Sequence, residues 1–189
     1  MIENLVKLVE QYAGDAVVNN KAIPDERNSA VINETASSIM TSLQGMASGG
    51  QLEQILAMFT GKGGDGSNTL TQNIQSNVVS SLMNKFGISN SIAQGVASQL
   101  VPTVLSALTK NTKDPNNQAF GINSILSSIT GGKTDGIDVQ GLLDKFAGGS
   151  DGKFDLSDVM NFLGKGKGSG NSQGNNGGGI LGALGNLFK

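Results

Sequence analysis

The feature that most constrains this chain is a recurring unit: an apolar residue, apolar positions three, four and seven residues later, and then a glycine. It reads Leu52, Ile55, Leu56, Phe59, Gly61, then Ile122, Ile125, Leu126, Ile129, Gly131, then Val139, Leu142, Leu143, Phe146, Gly148. Looser copies are Leu156, Val159, Met160, Leu163, Gly164 and, at the end, Leu181, Leu184, Phe188. This spacing lines one face of a short helix, and the glycine supplies its stop. Such helices are marginal alone in water, where roughly 12 to 15 residues are needed to recoup nucleation. Each must therefore cover its stripe with another surface. True duplication and the ordinary likeness of short amphipathic helices both account for the repetition. The 189 residues include 28 glycines but 3 prolines, no Trp and one Tyr. The apolar supply of Leu, Ile, Val, Ala and Met suits packed helices, and the fold class read from the sequence is all-α.

Along the chain, Ile2, Leu5, Val6, Val9, Tyr12 and Ala13 recur at helical spacing, with Gly14 as the expected stop. Asn19-Asn20 reads as a turn, and Pro24, Asp25 and Glu26 suit a helix start. The helix that follows has the stripe Val31, Ile32, Ala36, Ile39, Met40, Leu43 and Met46 and ends at Gly49-Gly50. A short helix spans 51–60, and the Gly, Asp and Ser of 61–68 read as a loop. Leu70, Ile74, Val78, Leu82 and Phe86 then share one face, with Gly87 as the stop. Ser89 is placed to cap a helix with Ile92, Val96 and Leu100. Pro102 predicts either a kink or a fresh helix with Val104, Leu105 and Leu108, which gives three packed helices. A loop follows over 111–117.

The stretch NVVSSLMNKFGISNSIAQGVASQLVPTVLSALT, with its helix, Lys-Phe-Gly-Ile stop, Ser-capped helix and Gln-Leu-Val-Pro break, resembles the YidB-like family of bacterial proteins, a domain of unknown function. The resemblance covers about Leu70 to Ser128. It implies a small homeodomain-like helical bundle and brings no activity or catalytic residue with it. The organisation expected is an N-terminal helical segment 1–60, a Gly-rich loop 61–68 and a YidB-like helical domain 69–130. After these come two short Asp-capped helices in 131–163, a flexible Gly/Ser/Asn linker 164–179 and an apolar C-terminal helix 180–189.

Composition bounds the chemistry. The chain has no His and no Cys, so imidazole bases, thiolates, disulfides and the usual zinc ligand sets are excluded. Scattered acidic residues at helix starts are explained by capping, and no enzyme is expected, nor any cofactor. A net charge of -2 and a pI near 5.0 disfavour a polyanionic partner. The stretch from Ser91 to Leu108 has no Lys or Arg, so nucleic acid is not expected as a ligand. Gly131-Gly132-Lys133-Thr134 echoes a phosphate loop, yet Ser127 stands where that motif needs glycine and a helical stripe precedes it. A helix C-terminal turn is the expectation there.

Asp151-Gly152-Lys153-Phe154-Asp155-Leu156-Ser157-Asp158 matches the second half of a calcium loop, making Asp151, Asp155 and Asp158 candidate ligands. Ala147 and Gly149 stand where the first half needs carboxylates, and Asp135-Gly136-Ile137-Asp138 is one residue short. Two Asp-Gly turns with capping aspartates account for the same residues.

The N-terminus lacks a basic leader, and Lys7 and Glu10 interrupt its apolar run, so a helix that stays in place is expected. No stretch is read as the roughly 18 to 20 apolar residues of a membrane span. The expected compartment is cytoplasmic. The linker 164–179 has a reach of roughly 20 to 24 Å. Beyond it, Ile180, Leu181, Leu184, Leu187 and Phe188 form an apolar cluster that is costly to leave in water. Its expected docking place is its own domain or a sister subunit, with a membrane surface as the alternative, where Lys189 is the only base. The expected function is therefore a non-enzymatic interaction or assembly protein, a homo-oligomer or bound to another protein. A peripheral membrane or envelope-associated protein and a small-ligand binder are the alternatives.

Overall fold

The computed structural model describes residues 1–61, 64–114, 117–132 and 134. The chain divides into two units, Met1–Gly141 and Leu142–Lys189, and every described residue belongs to the first. Among the described residues all regular elements are helical, which agrees with the all-α reading. The α-helices are α1 (Ile2–Tyr12), α2 (Asn28–Ser48), α3 (Leu52–Thr60), α4 (Gly64–Phe86), α5 (Asn90–Thr112) and α6 (Ile122–Thr130).

Three helices gather around α4. Helices α5, α2 and α3 pack against it, α1 lies on α2 and α5, and α6 lies on α2. Leu70, Ile74, Val78 and Leu82 are each 1% exposed or less. Their four-residue spacing advances about 40° per step on a helix of 3.6 residues per turn, so the stripe winds around α4 and serves several neighbours. On α6 all four stripe residues, Ile122, Ile125, Leu126 and Ile129, are buried. Gly61 (φ 77°) and Gly131 (φ 64°) close α3 and α6 in the left-handed region, where a side chain would be strained. The Gly132 N–H donates to the Ser127 carbonyl at 2.8 Å, which makes Gly131-Gly132 a helix C-terminal turn. A phosphate there would face the negative end of the helix dipole.

Several expectations are corrected. The 61–68 stretch is not a loop throughout, because α4 begins at Gly64. A glycine costs a helix only about 1 kcal/mol against alanine, and the packed turns from Leu70 onward propagate the helix back through it. Pro102 neither ends nor restarts a helix: α5 runs through it, giving two central helices in place of three. Pro102 faces solvent, where water can meet the carbonyl it leaves unpaired, while Val96, Leu100, Val104 and Leu108 form one continuous buried face. Ser89 holds the N-cap position, but its hydroxyl lies 3.3 Å from that of Ser91 and makes no cap bond. Helix α1 does stop beside Gly14, at Tyr12 with Ala13 as its C-cap, and Gly14 opens a π-helical turn, Gly14–Val18. Ile2 and Tyr12, assigned to the buried face of α1, are 41% and 40% exposed because they sit at its two ends, and Leu8 is buried with Leu5 and Val9.

Helix α5 also amends the membrane expectation, since by length and composition it is long and apolar enough to cross a bilayer. Half of that window is buried inside the fold, as in the core helix of a bundle. Its Ala, Val, Leu and Ile raise the mean hydropathy, and its Ser, Gln and Thr interrupt the apolar run.

The described helices largely cover their own stripes. The large apolar side chains exposed among them are Ile2, Tyr12 and Val18. Interior glycines are another matter. A Cβ built at Gly45 or Gly95 meets nothing within 4 Å, and neither has a positive φ. Gly45→Ala and Gly95→Ala are each expected to stabilise the fold by about 0.5–1 kcal/mol, read as a rise in thermal midpoint.

Candidate functional site: the polar seam between α2 and α4

The chain's most connected polar cluster among the described residues lies where α2 crosses α4. Glu34 is the one charged residue of α2, and its side chain is only 12% exposed. Its Oε2 accepts from Lys85 Nζ at 2.6 Å, and its Oε1 accepts from the hydroxyls of Ser81 and, at 3.3 Å, Ser38. Further along, Asn77 Nδ2 donates to Ser42 Oγ at 3.0 Å, and Ser42 Oγ donates to the Ser38 carbonyl at 2.7 Å. At the opposite end Arg27 Nη1 donates to the Phe86 carbonyl at 2.9 Å, covering an orphan acceptor at the C-terminus of α4. Residue numbers rise on α2 as they fall on α4, so these contacts fix one antiparallel register.

Burial pushes the Glu34 carboxyl up. Hydrogen bonds from Lys85, Ser81 and Ser38, with the attraction of the Lys85 ammonium, outweigh burial and hold it below its ordinary value. Glu34 is therefore ionised at neutral pH with both oxygens engaged, an arrangement that positions the two helices. A depressed carboxylate adds stability above its unfolded value, near pH 4.3, that is lost as pH falls through the lower folded value. Glu34→Gln is expected to remove this acid-side loss, so that wild type and variant converge in thermal midpoint on acidification and differ at neutral pH. Lys85 is 60% exposed, so Lys85→Ala should cost less than Glu34→Ala, under about 1 kcal/mol against about 2 kcal/mol.

The sequence reading missed this seam. Its signal was present in the isolation of the charges: Glu34 in a neutral helix, and Lys85 alone among the charged residues of 66–109. The sites it did select, Asp151, Asp155 and Asp158 for calcium and Ile180, Leu181, Leu184, Leu187 and Phe188 for interaction, lie outside the described residues. Among the described residues no three acidic side chains gather to hold a metal.

Residues 68–187, more than half of the chain, match a family described as a bacterial protein of unknown function (DUF937). The chain belongs to the DUF937 family. No curated protein and no solved structure matches it. The DUF937 region starts inside α4 and reaches far past Ser128, through the Gly-rich linker and into the apolar end. Helices α1, α2 and α3 precede it, and yet α2 and α3 pack on its first helix. The seam thus joins Glu34 and Arg27, outside the DUF937 region, to Lys85, Ser81 and the Phe86 carbonyl within it.

Proposed function

We propose that this DUF937 protein is a non-enzymatic, cytoplasmic interaction or assembly protein that associates with copies of itself. The observation that carries the reading is the extent of the family match, which runs to residue 187. The cluster Ile180, Leu181, Leu184, Leu187 and Phe188 thereby belongs to the family's own domain, all but its last residue inside the matched region. The finer shape, a small homeodomain-like bundle with an apolar C-terminal helix, belongs to the same proposal. The described helices cover their own stripes, so the reading rests on apolar residues outside them, the C-terminal cluster foremost. A nucleic-acid partner fits poorly with a stretch from 66 to 109 whose one charge, Lys85, is paired with Glu34.

Light scattering on the eluting full chain, beside a chain ending at Gly164, tests the reading. Association that is lost on truncation is the expected result, and identical monomeric masses contradict it. Tail-dependent binding to vesicles of anionic lipid, with the free chain monomeric, would favour the peripheral membrane alternative instead.

A further inference from the structure

We draw no further inference here: the strongest candidate, the surface of exposed apolar side chains Ile2, Tyr12 and Val18 on α1 and the π-helical turn after it, carries nothing because nothing in the structure shows what covers it.

Discussion

A chain beginning at residue 68 is expected to lose cooperative unfolding altogether, although that is where the DUF937 match begins. Residues 1–60 contribute nine large apolar side chains that are 2% exposed or less: Leu5, Val9, Val17, Ile23, Val31, Ile39, Leu43, Ile55 and Phe59. At about 1.5–3 kcal/mol each, their burial together matches or exceeds the whole net stability of a domain, about 5–15 kcal/mol. Their removal also uncovers part of α4, because α2 and α3 pack on that helix. Circular dichroism should show a broad, non-cooperative melt, and an apolar dye should bind strongly. A sharp transition near that of the full chain would show that the DUF937 region holds its own core.

Ile74→Ala is expected to be the most damaging kind of single change, at about 3–4 kcal/mol. Ile74 is 0% exposed at the middle of α4, the helix on which α5, α2 and α3 pack, and such a core cannot easily close on the space left behind. Ile2→Ala removes the same atoms from a site 41% exposed and should cost below about 1 kcal/mol. Urea unfolding of the two variants at matched slope measures the difference. Equal losses would mean that α4 is not the centre of the packing.

The elements legible in the sequence are those whose signal is local and repeated. Leu70, Ile74, Val78 and Leu82 with Gly87, and Ile122, Ile125, Leu126 and Ile129 with Gly131, carry both a stripe and a stop, and the structure buries the one and turns at the other. Misreadings arose where a local penalty was small beside tertiary packing. The glycines ahead of Asn68 and the proline at 102 each weaken a helix by a bounded amount, and the continuous buried faces of α4 and α5 exceed it. Ile2 and Tyr12 fit the α1 pattern, but periodicity does not say where a neighbouring helix ends. The Glu34 seam was hidden for a different reason: its partners Ser81 and Lys85 are 47 and 51 residues away, and only the fold brings them together. Covered stripes in the described helices also removed one motive for association, and the case now stands on the apolar end.

Sedimentation equilibrium of the intact chain across a hundredfold range of concentration tests the proposed association most directly. A mass that climbs with concentration from 19.3 kDa toward twice that value is the expected result. A mass fixed at 19.3 kDa throughout would contradict it.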